Sequence, residues 1–329
     1  MNILLLGEYS NVHATLAEGL RELGHEVTVI SNGDYFKNYP RDIDVSRRGG
    51  KLGGILLMAK LYALLPRLRS YDVVQLINPL FFELKAERLF WFYRYLRKHN
   101  GKVFLGAFGM DYYWVHTCTY DKPLRYSDFN IGDEVRTDAE AVYYQRDWLG
   151  TTKEQLNKYI AQDCDGIIAG LYEYWACYHP AFADKTCFIP YPIKMPDSIN
   201  TERAQKSKVV IFIGINRKRS AYKGTDIMLK AAKDVQHKYP YRTKLIVAES
   251  VPFAEYSKMM DGSDAILDQL YAYTPSMNPL LAMSKGIICI GGGEPENYEI
   301  INETELRPII NVEPTYERAY QAVEQLVLN

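Results

Sequence analysis

The sequence predicts an α/β protein built from two doubly wound parallel sheets, and three observations carry that expectation. Short apolar runs recur along the chain, each followed by a turn and then by a stretch whose apolar residues repeat at helical spacing. The series occurs twice, on either side of a proline-bearing polar stretch at residues 187–208. A length of 329 residues suits two domains of roughly 150 each.

The elements follow in order. NILLL (2–6) reads as a buried strand, Gly7 opens a turn, and Leu16, Leu20 and Leu23 mark one face of a helix that Gly24 stops. HEVTVIS is the next strand and completes a βαβ unit. VVQLINP (73–79), a helix from about Phe82 to His99, strand VFLGAF (103–108), a helix near 153–163 and strand GIIAG (166–170) continue the first domain. CFIPYPIKMPDSINTERAQKSK reads as the connection between domains. The second series runs through KVVIFIG (208–214), a helix over 224–238, strand TKLIVAE (243–249) and DAILD, which ends in Asp268. Pro275 and Ser276 start a helix that Gly286 closes, and the run IICI leads into the turn GGGEPE. The expected boundaries are 1–190 for the first domain, 191–312 for the second, and a terminal amphipathic helix over 313–329 that closes the second domain or crosses back to the first.

Composition narrows the function classes. Hydrophobic residues at 47% and charged residues at 24% are ordinary for a soluble globular protein, and a net charge of -1 offers no whole-chain attraction to nucleic acid. No uninterrupted apolar run approaches the ~18 residues of a spanning helix. The start, MNILLLGEYS, has neither the basic lead nor the length of a signal peptide, so a cytoplasmic protein is expected. Five cysteines without a CxxC pair read as reduced thiols and argue against structural zinc. The 27 tyrosines suit stacking on carbohydrate as well as core packing.

Three strand-end segments carry the chemistry. GEYSNVHATLAEGL brings Ser10, Asn11 and His13 to the end of the first strand, without the glycine spacing of a dinucleotide fingerprint; Asn11 reads equally well as a helix cap. GINRKRSAYKGTDIMLKAA brings Gly214, Arg217, Lys218, Arg219 and Lys223 to a helix start at Gly224 and Thr225. Arginine forks, a lysine point charge and free helix amides together suit a diphosphate. In GGGEPE, the carboxylates of Glu294 and Glu296 can accept from sugar or ribose hydroxyls. Elsewhere, RRGGKLGGILLMAKLYALLPRLRS mixes cations with apolar residues, either as a membrane-facing basic helix or as a packed helix with a solvated basic face.

Four segments, LAEGLRELGHEVTVIS, the turn GMD at 109–111, IGINRKRSAYKGTDIMLKAA and DQLYAYTPSMNPLLAMSKGIICIGGGEPE, resemble in order those of retaining glycosyltransferases of the GT-B fold, close to the large family 4 group. The resemblance implies two Rossmann-like domains with a cleft between them. It implies a nucleotide-diphosphate sugar as donor, no other cofactor and no metal. Arg219 or Arg217, with Lys223, would stabilise the leaving diphosphate, and Asp111 would orient acceptor or donor, although it reads equally well as the cap of a helix over DYYWVH. Gly214, Arg217, Gly224, Asn278, Gly292, Gly293, Glu294 and Glu296 would hold the donor, with Gly7, Ser10 and His13 on the acceptor side. Two departures stand out. Where the family carries a glutamate pair around its donor helix, this chain has Tyr273 and Leu281, and Phe108 stands where a histidine often precedes the Gly-x-Asp turn. The expected partners are a nucleotide sugar and a glycan or lipid-linked acceptor of surface polysaccharide synthesis, with peripheral contact at the inner face of a membrane. A sugar-nucleotide epimerase of similar architecture and a non-catalytic nucleotide-sugar or glycan binder are the alternatives.

Overall fold

The computed structural model describes residues 1–196 and 207–329, apart from the side chain of Lys218. Residues 197–206 of the expected connection lie outside the described residues. The chain divides into two compact units, Met1–Pro123 with Tyr143–Pro192, and Leu124–Val142 with Ile193–Asn329.

The strands of the first unit are β1 (Asn2–Leu6), β2 (Glu26–Ser31), β3 (Ile43–Asp44), β4 (Val73–Leu76) and β5 (Lys102–Ala107). After a small antiparallel hairpin, β6 (Asn130–Ile131) and β7 (Glu134–Val135), come β8 (Gly166–Ala169) and β9 (Thr186–Phe188). Between them lie α1 (Val12–Glu22), α2 (Gly50–Ala63), α3 (Ala86–His99), α4 (Tyr112–Tyr120), α5 (Ala139–Trp148), α6 (Thr152–Asp163) and α7 (Tyr172–Tyr178). The sheet order is β3-β2-β1-β4-β5-β8-β9 and every pairing is parallel. The order reverses between β1 and β4, the switch point where open α/β sheets bind ligands. Ile3, Leu5 and Val29 pack on Ala17, with Leu16 and Leu20 at the margin, which is the helical face the sequence marks. Helix α3 begins later than its apolar spacing suggests, because Phe81 and Phe82 turn into the core.

The second unit holds β10 (Val209–Ile215), β11 (Thr243–Glu249), β12 (Ala265–Leu267), β13 (Ile288–Gly291) and β14 (Ile309–Asn311), in the order β11-β10-β12-β13-β14 and again all parallel. Its helices are α8 (Ser220–Lys223), α9 (Thr225–Lys238), α10 (Phe253–Met260), α11 (Met277–Ser284), α12 (Pro295–Ile300) and α13 (Tyr316–Leu328). Successive residues of β10 serve opposite faces of the sheet. Ile211 and Ile213 join Met228, Val235 and Val323, whereas Phe212 joins Ala248, Ile266 and Ala282. Burial on both faces is why these strands read as continuous apolar runs rather than alternating ones. Helix α13 packs against α9 on the first of these faces, within the second unit. The central strands and the crossover helices α1, α3, α6 and α9 are those the sequence signals; the short edge strands β3, β9 and β14, the helices α5 and α10 and the β6–β7 hairpin carry no such signal, and Cys187 and Phe188, expected in the connection, instead pair with β8.

Candidate functional site

In the second unit the strand order reverses between β10 and β12, and two of the nominated segments meet at that end of the sheet, joined by the loop after β12. Strand β10 runs into the 3-10 turn Arg217–Arg219, then α8, then α9. Gly224 joins the two helices with φ +70, a left-handed conformation that glycine adopts at no steric cost. Strand β12 leads to Asp268 and Leu270, whose amide donates to the Lys223 carbonyl at 2.9 Å. Strand β13 leads through Gly292 and Gly293 to Glu294, whose amide donates to the Tyr273 carbonyl at 3.0 Å. Lys223 and the GGGEPE turn are thereby tied to the loop that follows β12.

The glycines serve close packing. A Cβ on Gly214 would lie 2.5 Å from the Tyr256 ring, one on Gly224 2.6 Å from Leu270 Cβ, and one on Gly293 2.9 Å from Ile309 Cβ. A Cβ on Gly292 would lie 2.2 Å from the Ala272 carbonyl oxygen. These positions set the path of the backbone rather than leave room beside it. Asn278 stands exposed in the first turn of α11. Arg217 is largely exposed and pairs with Glu249 at 2.6 Å.

The charged groups at this edge already have partners, and most of them come from residues 124–142. Arg125 donates to Glu294 at 2.7 Å and to Glu296 at 2.6 Å, and its amide donates to the Tyr273 hydroxyl at 2.6 Å. Tyr126 donates its hydroxyl to the other oxygen of Glu294, a side chain only 7% exposed. Burial alone would raise the Glu296 carboxyl; Arg125 holds it below its ordinary value instead. On the cation side, Arg219 pairs with Glu140 at 3.2 Å, and Tyr222 donates to Asp128 at 2.6 Å. Arg136 donates to the Ala221 carbonyl at 3.2 Å and lies 4.0 Å over the Tyr271 ring. Burial raises Asp128 above the usual carboxylate range against the pull of the Tyr222 hydrogen bond and the charges of Arg219, Lys223 and Arg136. Asp268 is raised likewise by burial, with Lys223 opposing. Sequence reasoning nominates none of Arg125, Tyr126, Asp128, Arg136 or Glu140. The one signal is the mixture of charge and tyrosine in RYSDFNIGDEVRTDAE, which says nothing of where that segment packs.

In the first unit the nominated residues gather where β1 meets β4, but most turn inward. Gly7 has φ +84, and a Cβ there would lie 2.2 Å from Ile77 Cγ2. His13 is fully buried: Nδ1 donates to the Gly7 carbonyl at 2.8 Å, which leaves Nε2 to accept from the Gln75 amide at 3.2 Å. Burial pushes its pKa down to about 4, so the imidazole is neutral near pH 7. Ser10 is half-buried, with its amide on Asp34 at 2.9 Å. Asn11 is the N-cap of α1 by position, but Glu8 supplies the cap, its carboxylate accepting from the amides of His13 and Ala14 at 3.3 and 2.8 Å. Burial lifts Glu8 to about 8 despite those amides. Asp111 is fully buried and caps α4, accepting from the Trp114 amide at 2.9 Å and from the Tyr178 hydroxyl at 2.7 Å. Burial raises it to about 7. Its contacts are those of a helix cap.

A cavity of about 920 Å³ lies at the opposite, amino-terminal end of β4 and β5, lined by Asp72, Arg97, Lys102 and Asp165 among others. Arg97 pairs with Asp163 at 3.0 Å and Lys102 with Asp165 at 3.2 Å, while Asp72 accepts from the Asn2 amide at 2.7 Å. The switch-point loops of the first sheet lie at its other end. Among the described residues, no cluster of His, Cys, Asp and Glu could hold a metal ion. None of their helices is long and apolar enough to cross a membrane.

No protein-family model matches the sequence, and no curated protein matches it significantly. Solved structures do. Sucrose-phosphate synthase from Thermosynechococcus elongatus superposes with a TM-score of 0.60 at 13% identity, covering 100% of this chain and 90% of its own. WaaG, a glycosyltransferase involved in lipopolysaccharide biosynthesis, gives 0.51 at 12% identity over 100% and 91%. A Listeria monocytogenes protein ascribed to the UDP-N-acetylglucosamine 2-epimerases gives 0.53 at 10% identity over 99% and 87%. At such identities the likeness speaks for the fold, and the chain has the GT-B fold of two Rossmann-like parallel-sheet domains.

Proposed function

We propose that this chain is a glycosyltransferase that moves a sugar from a nucleotide-diphosphate donor, held by the second unit, to a glycan or lipid-linked acceptor. The reading is supported chiefly by one observation: Arg219 and Lys223 stand beside the start of α9 at the switch between β10 and β12, in a domain of GT-B fold. In the proposed reaction the bond between the anomeric carbon and the diphosphate breaks as the acceptor hydroxyl attacks from the same face. A diphosphate oxygen takes the acceptor proton, and no metal takes part. The two cations and the amides of α9 neutralise charge as it develops on the leaving group. Asp111, wholly buried, acts as a positioning residue that fixes the turn at 109–111. Asn278 and the GGGEPE turn stand in for the glutamates whose slots hold Tyr273 and Leu281. No cofactor beyond the donor is required.

Titration calorimetry with UDP, GDP and ADP tests the donor site. The joint change Arg219→Ala and Lys223→Ala should weaken the bound nucleotide by about 100-fold or more, from the ~1.5–3 kcal/mol of each charge-assisted contact. Unchanged affinity sinks the assignment. The missing glutamates favour a second reading, a non-catalytic nucleotide-sugar or glycan binder, and the shared architecture admits an epimerase, which releases a rearranged nucleotide sugar where a transferase yields an extended acceptor. Product analysis separates the two, and turnover of any nucleotide sugar excludes a purely binding role. We further propose that α2 brings the protein to the inner face of an anionic membrane for surface polysaccharide synthesis. Leu52, Ile55 and Leu56, between 49% and 67% exposed, stand beside exposed Arg47, Arg48, Lys51 and Lys60, which supports that placement.

A further inference from the structure

We infer that residues 124–142 and a nucleoside-diphosphate sugar are mutually exclusive occupants of the same edge of the second unit, so that this hairpin segment is a competitor built into the chain. The inference rests on the donor-site reading above. Its basis is a match of charge. Where a donor would present phosphate oxygens, the segment presents carboxylates: Glu140 on Arg219 at 3.2 Å, and Asp128 on the Tyr222 hydroxyl at 2.6 Å, with the Arg219 guanidinium 5.3 Å over that tyrosine ring. Where a donor would present hydroxyl groups, the segment presents donors: Arg125 to Glu294 and Glu296, and Tyr126 to Glu294.

The two sets of contacts are incompatible with a bound donor for simple reasons. A phosphate that engages Arg219 through Nε has to displace Glu140, whose carboxylate accepts from that Nε at 3.2 Å, and one on the Nη donors alone competes with the same carboxylate for a single positive charge. A sugar hydroxyl reaches Glu294 only by moving Tyr126 or Arg125 aside, because both donate to a carboxylate whose side chain is only 7% exposed beneath them. Displacement is feasible. Arg125 is 57% exposed and Arg219 36% exposed, so their ion pairs are weakly held, whereas a diphosphate brings more charge than the single carboxylates it replaces.

Two measurements on the full chain test this, with UDP, GDP and ADP as probes. Hydrogen exchange of the wild-type protein should show amides of residues 124–136 exchanging faster once the nucleotide that binds is added. In parallel, Asp128→Asn with Glu140→Gln, which removes the competing charge at nearly constant volume, should tighten nucleotide binding by about 5-fold or more, the lower end of measured coupling between sites. Equal or weaker binding by that variant, or hairpin amides left unchanged or slowed by nucleotide, overturns the inference while the donor site stands. Failure of wild type and variant alike to bind any of the three nucleotides overturns the donor-site reading, and the competition with it.

Discussion

Glu8 shows how a single carboxyl in the wrong solvent sets a pH dependence. Burial outweighs its two amide hydrogen bonds and holds its pKa at about 8, well above the ordinary value of 4.5. As pH rises from 4.5 the unfolded chain gives up this proton first, so the folded state carries the extra proton and stability falls until about pH 8, then levels. Asp111, raised to about 7, has the same sign over a lower window. His13 has the opposite sign, since its depressed pKa leaves the unfolded chain with more protons between about 4 and 6.5. The Glu8 effect is therefore cleanest above pH 6.5. We expect urea unfolding of the wild type to lose about 2 kcal/mol between about pH 6.5 and 8 and the Glu8→Gln variant to lose clearly less. Equal slopes in the two proteins would show that Glu8 is ionised when folded.

Among the elements, α2 and the strand-end loops behave differently. Gly53, Leu57 and Leu61 of α2 pack inward, while Leu52, Ile55 and Leu56 remain in solvent among cations. Exposed apolar residues on one helix, rimmed by positive charge, are the pattern of an interfacial anchor. Sedimentation with vesicles containing anionic lipid should therefore carry the protein down. Leu52→Glu with Ile55→Glu should reduce the bound fraction severalfold, and added salt should weaken binding further. Binding indifferent to both changes would remove α2 from the contact. The strand-end loops are legible in the sequence because Gly224, Gly286 and the GGG turn punctuate apolar runs at short range. The hairpin β6–β7 is not, because its strands are two residues each and the segment's partners lie far along the chain.

Across the whole molecule, the two units have separate sheets and separate cores, so a ligand held by one should stabilise that one first. At about 100 times its dissociation constant, the bound nucleotide should add about 2.7 kcal/mol to the second unit. Hydrogen exchange resolved by segment should show that gain in residues 207–329, including β10, β12 and β13, and not in 1–123. Protection confined to the first unit would move the donor site there. Apart from the two- or three-residue edge strands β3, β9 and β14, the amino-acid pattern alone is enough to specify a pair of parallel sheets, the succession of their central strands along the chain and the loops at their carboxyl ends. Those depend on hydrophobic period and on glycine and proline, which act over a few residues. Which of the nominated side chains face the site is settled by packing between distant segments. Packing turns His13 and Asp111 inward, one as a buried hydrogen-bonding partner and the other as a helix cap. It also brings Arg125, Asp128 and Glu140 onto the residues nominated for the donor and their neighbours. Burial and hydrogen bonding join positions as far apart as Tyr126 and Glu294, and no local pattern encodes that pairing.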